Sequence, residues 1–231
     1  KFGKFYGYLD LAGFQQEITN SIEFTYGLWG TSGNFINDLG FQSVNVGKSR
    51  IRGIDGSIVG QGTIGKTTIA VLAGYTYAQP VAMSPDDTIP NSKGNSITYK
   101  NTSSDTTGNI LKYRFEHLAK ADIQLSYSKF SFGISFRYNS FMKNVDIIFE
   151  QLDKDSGVPF YEGRLPTGIA KYRKDKNQKG DYVFDVRASY QLSETVKAAI
   201  IVNNLLNREY MLRPLQIESP RTFAVQFTIH F

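Results

Sequence analysis

Residues 60 to 67, Gly60, Gln61, Gly62, Thr63, Ile64, Gly65, Lys66 and Thr67, spell the phosphate-cradling pattern G-x-x-x-x-G-K-[ST] letter for letter. In such a loop the backbone amides wrap the phosphates, Lys66 would reach the terminal ones and Thr67 would hold magnesium. That chemistry requires a helix to come next, inside an alternating βαβ domain. The chain continues instead through Thr67, Thr68, Ile69, Val71, Gly74, Tyr75 and Tyr77, residues that favour a strand. The nearest approach to a second nucleotide motif, residues 145 to 150, is only an apolar run ending in an acid. The segment therefore reads as a glycine-rich turn, and a nucleotide-binding enzyme is the remote alternative.

Other reactive groups are sparse. The two histidines, His117 and His230, lie far apart with no ligand spacing, and cysteine is absent, so neither a thiolate metal site nor a disulfide framework is available. Asp86 with Asp87, and Asp153 with Asp155, fall among glycine and proline without the ordered set of oxygens a calcium loop needs. No serine, histidine and acid arrangement has support. The expectation is a protein that is not an enzyme and carries no cofactor. Tyr161, Arg164, Tyr172 and Arg173 could offer stacking and charge to a ligand from one long loop, since binding residues concentrate on loops held by rigid scaffolds.

The elements that would position these residues are strands. Phenylalanine and tyrosine number 17 and 14 against a single tryptophan, and glycine reaches 21, a mixture that favours β-structure. No stretch approaches the roughly 18 consecutive apolar residues of a membrane-spanning helix. A barrel wall escapes that test, because its strands show lipid only every second side chain and keep the mean hydropathy low, here −0.29. The net charge of +5 is spread over 26 basic residues interleaved with 21 acids, unlike the clustered basic face of a nucleic-acid binder.

Alternation with period 2 recurs over lengths that suit a tilted strand crossing a bilayer. Phe130, Phe132, Ile134, Phe136 and Tyr138 share one face, opposite Ser131, Gly133, Ser135, Arg137 and Asn139. Ala121, Ile123, Leu125 and Tyr127 precede them opposite Asp122, Gln124 and Ser126, with only Ser128 and Lys129 between the two runs, which predicts a tight hairpin. Tyr182, Phe184, Val186, Ala188, Tyr190 and Leu192 alternate with Asp185, Arg187, Ser189 and Gln191. After Ser193 and Glu194 a return strand runs over 195 to 205, apolar on both faces and open in parity. Phe223, Val225, Phe227, Ile229 and Phe231 form the face of a final strand. The same pattern appears over 5 to 14, 18 to 28, 49 to 61 and 67 to 77, so roughly nine strands are predicted. Arg50 and Arg52 share a parity with Ile54 and Ile58, which predicts a bulge or a strand end above the lipid.

The connections alternate between tight and long. Tight turns are expected near Gln15, over 63 to 66, at Ser128 and Lys129, and at Ser193 and Glu194. Long ones run over 29 to 44, 78 to 112, 146 to 180 and 207 to 220, rich in the residues of turns and solvated loops. Short periplasmic turns opposite long extracellular loops characterise outer-membrane barrels, whereas a soluble β-sandwich accounts poorly for loops of this length.

Five fragments, in order, resemble the TonB-dependent outer-membrane receptors. GYLDLAGFQQEITNSIEFTYG (7 to 27) is similar to a strand pair of that barrel, and NVGKSRIRGIDGSI (45 to 58) to the strand after it, with the Arg-x-Gly-hydrophobic-acid pattern. YRFEHLAKADIQLSY (113 to 127), NNLLNREY (203 to 210) and RTFAVQFTIHF (221 to 231) complete the likeness, the Asn-Leu-x-Asn-x-x-Tyr element and the terminal phenylalanine being its most specific parts. The resemblance implies a barrel of about 22 strands around an N-terminal plug. It also implies uptake of a scarce nutrient with energy from the TonB protein, contact with outer-membrane lipid, insertion by the barrel-assembly machinery, and possible pairing with a surface lipoprotein. Phe223, Val225, Phe227, Ile229 and Phe231 would then be the assembly signal. Plug, TonB-contacting segment and the earlier strands have no counterpart in the chain.

The fold class expected is thus all-β, a transmembrane antiparallel barrel segment, with residues 1 to 231 forming the C-terminal portion of the barrel domain. Residue 1 already sits in a strand-like pattern with no signal peptide before it, so the chain is expected to begin inside a larger precursor or after processing. An odd count of about nine would have the first strand descend from outside and leave two outer strands in need of partners. Transport is the leading reading. A receptor-like barrel serving as a structural subunit of an outer-membrane complex is the alternative.

Overall fold

The computed structural model describes residues 4–30, 32–89, 97–154, 169–214 and 216–229. In chain order the strands are β1 (Phe5–Ile18), β2 (Ile22–Leu28), β3 (Leu39–Asn45), β4 (Ser49–Ile64), β5 (Thr67–Ala82), β6 (Thr88–Ile89), β7 (Ile97–Thr98), β8 (His117–Tyr127), β9 (Phe130–Asn139), β10 (Asp181–Gln191), β11 (Val196–Asn203), β12 (Met211–Arg213), β13 (Gln216–Ile217) and β14 (Thr222–Ile229). Among the described residues three short α-helices, α1 (Phe35–Asp38), α2 (Ile147–Lys154) and α3 (Ile169–Lys176), and one 3-10 turn, Thr107–Asn109, lie outside the main sheet. Among the described residues no helix is long and apolar enough to cross a membrane.

Eight strands form one sheet in the order β1-β4-β5-β8-β9-β10-β11-β14, every neighbouring pair antiparallel. Register tracks the alternation. Gly7, Gly60, Val71, Ile123, Ile134, Val186, Val202 and Phe223 are successive cross-strand partners, a row without a polar side chain across all eight strands. One residue along, the opposite face carries Gln124, Gly133, Arg187, Ile201 and Ala224 in the same manner. A one-residue slip would exchange these faces, so a setting that favours the apolar one specifies the register strongly. The pairing also settles β11: Ala198, Ile200 and Val202 join the apolar face, while Lys197, Ala199, Ile201 and Asn203 join the other.

Tight turns gather at one end of the sheet. Ile64 pairs with Thr67 across Gly65 and Lys66, with Gly65 at φ +59°, the first central position where a type II′ hairpin needs glycine. Tyr127 likewise pairs with Phe130 across Ser128 and Lys129. The G-x-x-x-x-G-K-T run is thus the end of β4, a two-residue turn and the start of β5. Its backbone from Gly60 to Ile64 is committed to strand pairing, leaving no cradle for phosphate.

Five expectations need correction. No turn occurs near Gln15: β1 runs unbroken through it for 14 residues against β4, with Gln15 opposite Arg52 and Gln16 opposite Ile51. The two glutamines lack the left-handed tendency of a hairpin turn, and continuing the ladder satisfies every amide. Residues 18 to 28 are accordingly not a wall strand. The ladder is interrupted around Thr19 and Asn20, the latter at φ +57°, opposite Gly47 at φ +79°. It resumes as β2 against β3, with Ser21 N bonding Gly47 O and Val46 N bonding Ser21 O. The stretch expected to be a long loop over 29 to 44 therefore contains β3. Among the described residues eight strands, one fewer than expected, make the wall, and β1 starts at the tight-turn end and rises toward the long connections, the reverse of the direction expected. No bulge disturbs Arg50 and Arg52; they stand at the loop-side end of β4.

The buried apolar core lies at the loop-side end, beyond the wall. Val44, Val46, Ala82, Ile89, Tyr99 and Leu111 pack together with Trp29 and Ile97 against them. Most of the wall has no such core, because the described chain leaves both of its faces largely open: Leu9, Leu11, Phe223, Val225 and Phe227 on one face and Tyr6, Tyr8 and Leu72 on the other are all more than half exposed. The long connections are consequently more than solvated loops. They build a cap with its own interior.

Candidate functional site

Two regions hold the polar chemistry: the non-lipid face of the wall and the cap above it. On the wall, Arg187 spans Asp122 with two bonds, Nη2 to Oδ1 at 2.6 Å and Nη1 to Oδ2 at 2.7 Å, and Ser135 Oγ donates to the same carboxylate at 2.5 Å. The guanidinium can lie flat there because position 133 is glycine; a Cβ would meet Arg187 Cζ at 2.5 Å. Higher up, Arg137 Nη2 donates to Asp185 Oδ2 at 2.9 Å, while Asp185 Oδ1 accepts the Asn204 amide at 2.7 Å. A hydrated pair such as Asp122 and Arg187, both about one-third exposed, contributes at most about 1 kcal/mol, so its effect is to set the charge pattern of the face more than to hold the fold.

The cap is held by buried ionic groups. Lys112 and Asp146 are each 1% exposed and meet at 2.6 Å, with Thr102 Oγ1 accepting from the same ammonium at 2.6 Å and the Tyr113 hydroxyl donating to Asp146. Burial pulls the Lys112 pKa below its ordinary value, opposed by Asp146, and burial with the Asp146 charge pushes the Tyr113 phenol up. Arg114 Nη2 donates to both Glu23 oxygens at 3.0 Å, tying the β2–β3 hairpin to the β5–β8 connection. Burial nevertheless raises the Glu23 carboxyl, outweighing Arg114. Sequence reasoning missed all four groups. Lys112 and Asp146 stood only at the edges of two expected loops, and nothing local connects residues 34 apart.

The β9–β10 connection frames a cleft lined by Phe115, Phe141, Met142, Ile169, Tyr172 and Met211, with Lys179 and the ion-paired Lys176 and Asp181 also in its lining. Tyr172 donates to Asp181 Oδ2 at 2.7 Å and accepts the Met211 amide at 3.1 Å, and burial raises its phenol. Arg173 bonds Glu150 Oε1 at 2.8 Å, Met142 O at 2.6 Å and Lys143 O at 2.9 Å, over the Phe141 ring at 4.7 Å. Two of the four residues singled out from sequence thus line one cleft, each already fixed by protein partners. Tyr161 and Arg164 lie outside the described residues, as do Asp155, His230 and Phe231. His117 sits on the lipid parity of β8, its Nδ1 2.7 Å from the Tyr75 hydroxyl. Asp86 forms an exposed ion pair with Lys100. No group of three or more metal-ligating side chains gathers among the described residues.

The Asn-Leu-x-Asn-x-x-Tyr element explains itself once folded. Asn204 and Asn207 take φ of +49° and +50°, which asparagine tolerates best after glycine. Asn204 Nδ2 donates to Arg208 O at 2.8 Å and Ser219 O at 3.2 Å, its Oδ1 accepts the Arg208 amide at 2.8 Å, and Asn207 Oδ1 accepts the Arg221 amide at 2.9 Å. Tyr210 is buried behind them. Together they fold the β11–β14 connection back onto the wall and deliver the chain to β14. There Phe223, Val225, Phe227 and Ile229 share one exposed face.

The family model described as TonB dependent receptor-like, beta-barrel, matches residues 1–205. The chain belongs to that family. Its members are outer-membrane receptors and transporters of Gram-negative bacteria rather than catalysts, which bears out the reading against an enzyme. Among solved structures, the chain is similar to the ferric-catecholate import receptor Fiu from E. coli, at 20% identity and a TM-score of 0.54, covering 100% of this chain and 26% of that one. It is similar to the copper transporter OprC at 16% identity and a TM-score of 0.56, covering 99% and 29%. The outer membrane transporter YddB from Escherichia coli gives 10% identity, a TM-score of 0.53 and coverage of 99% and 30%. The chain therefore spans under a third of the receptors it matches, and at these identities the likeness is one of fold. Compared by sequence with individual curated proteins, it matches none.

Proposed function

We propose that this chain forms the C-terminal wall and part of the extracellular cap of a receptor that binds a scarce nutrient and imports it with energy supplied through TonB. The observation that carries the reading is an antiparallel wall, apolar on one face and charged on the other, roofed at its loop end by an ordered cap with an aromatic and basic cleft. Its eight strands would be the last of a barrel of about 22, closed by strands and a plug outside this chain. Tyr172 and Arg173 line the cleft, and with Tyr161 and Arg164 of the same connection they are the residues proposed to meet the nutrient. Its partners would be outer-membrane lipid, TonB acting through the plug, the barrel-assembly machinery reading Phe223 to Phe231, and a surface lipoprotein over the cap.

The test is uptake by cells carrying the full-length protein. Uptake should cease when TonB is removed and should fall in Arg173→Ala at unchanged surface amount. Uptake indifferent to TonB refutes energised import. Uptake unchanged in both Tyr172→Ala and Arg173→Ala removes these residues from ligand contact.

A further inference from the structure

On the lipid-facing parity of three adjacent strands, an apolar run ends at one shared polar row. On β4 it reads Ile64, Gly62, Gly60, Ile58, Gly56 and Ile54, then Arg52 and Arg50. On β1 it reads Phe5, Gly7, Leu9, Leu11 and Gly13, then Gln15 and Glu17, and on β5 Ile69, Val71, Ala73, Tyr75 and Tyr77, then Gln79 and Val81. Gln15, Arg52 and Gln79 are direct cross-strand partners, so the change is level across the sheet. From the tight turn to Arg52 the strand covers about 40 Å at about 3.3 Å per residue, or about 30 Å of height at a tilt of about 40°. The apolar band of such barrels is about 25 Å tall. Arg52 and Arg50 therefore stand at the outer headgroup level, just above Tyr75 and Tyr77 in the place of an interfacial aromatic girdle, on the face away from the lumen.

Among the described residues neither guanidinium meets a carboxylate. Arg52 is exposed, and its Nε donates to the neutral Gln79 side chain at 2.8 Å. The Nε of Arg50 is buried without a hydrogen-bond partner among the described residues, and Arg50 forms no ion pair there even though Glu17 is its cross-strand neighbour. Two guanidiniums with no acidic partner among the described residues, each with its Nη groups uncommitted, suit phosphate, which arginine binds through more than one N–H. We propose that Arg50 and Arg52 bind the phosphate headgroup of an outer-leaflet lipid, with Gln15 and Gln79 completing the row and Tyr75 and Tyr77 seating the acyl-sugar boundary below. The lipid commitment comes from placement, since the pair continues the exposed apolar face of a chain whose family forms outer-membrane barrels. It does not depend on the transported solute.

The full-length protein, reconstituted into phosphatidylcholine nanodiscs doped with bisphosphorylated lipid A, tests this by native mass spectrometry of retained lipid. Wild type should retain lipid A, and Arg50→Gln with Arg52→Gln should lower retention about tenfold or more, given about fivefold per basic residue near an anionic surface. Dephosphorylated lipid A should be retained no better by wild type than by the double variant. Glu17→Gln, which removes the neighbouring acid, should raise retention and serves as the reading if the double variant fails to insert. Equal retention by wild type and double variant, or no gain in Glu17→Gln, overturns the proposal. Displacement by millimolar inorganic phosphate as effective as that by lipid A overturns the lipid assignment.

Discussion

Removing one side of the buried pair between Lys112 and Asp146 should release the cap while leaving the wall intact. Both side chains are 1% exposed, so Lys112→Met strands a carboxylate whose remaining partner is the Tyr113 hydroxyl, which also accepts the Asp146 amide. Breaking a buried pair on one side costs about 3 to 5 kcal/mol, because the survivor's charge stays out of water unpaired. The Ser104 amide on Val145 O and the Ile147 amide on Thr102 O cross the same junction and report its opening. At about 1.4 kcal/mol per tenfold, their hydrogen exchange should quicken by roughly two to three and a half orders of magnitude. Amides of the β8–β9 ladder should be unaffected. Lys112→Met combined with Asp146→Leu should recover most of the loss, since an apolar pair avoids the desolvation that both ions suffer. A single variant that changes exchange less than about tenfold, or a double variant as loose as the single, would refute a cap held by this pair.

Arginine at Ile134 or Val186, partners in the apolar row, should cost about 2 to 4 kcal/mol near the bilayer midplane, whereas Ser135→Arg on the opposite face should be far milder; equal loss in refolding titrations would count against a lipid-facing parity. Deleting Phe231 or changing it to Ser should reduce the amount of inserted protein without lowering activity per molecule, as measured by surface labelling against uptake, and normal insertion would remove the assembly signal. Burial holds the Glu23 carboxyl above 4.5, so its contribution to stability is fully present below pH 4.5 and is lost as pH rises through the raised value. Exchange of β2–β3 amides at pH 4 and pH 7 should therefore differ less in Glu23→Gln than in wild type; a larger difference in the variant would reverse the sign.

Period-2 alternation is a local property, and it is enough to put Phe130 and Ile134 on one face, Ser135 and Arg187 on the other, and the two-residue turn at Ser128 and Lys129. It also exposes the phosphate-loop pattern as a turn, because the residues after Lys66 do not favour a helix. Alternation cannot say which strand a strand meets. Residues 18 to 28 alternate as well as any wall strand, and only pairing shows that β1 passes straight through Gln15 to β4 while β2 leaves with β3. The choice depends on summed ladder hydrogen bonds between segments more than thirty residues apart in sequence. The cap was out of reach for the same reason. Lys112 and Asp146, or Glu23 and Arg114, become meaningful only when distant loops exclude water between them, since an isolated charge in a polar segment carries no mark of the partner that burial will force on it.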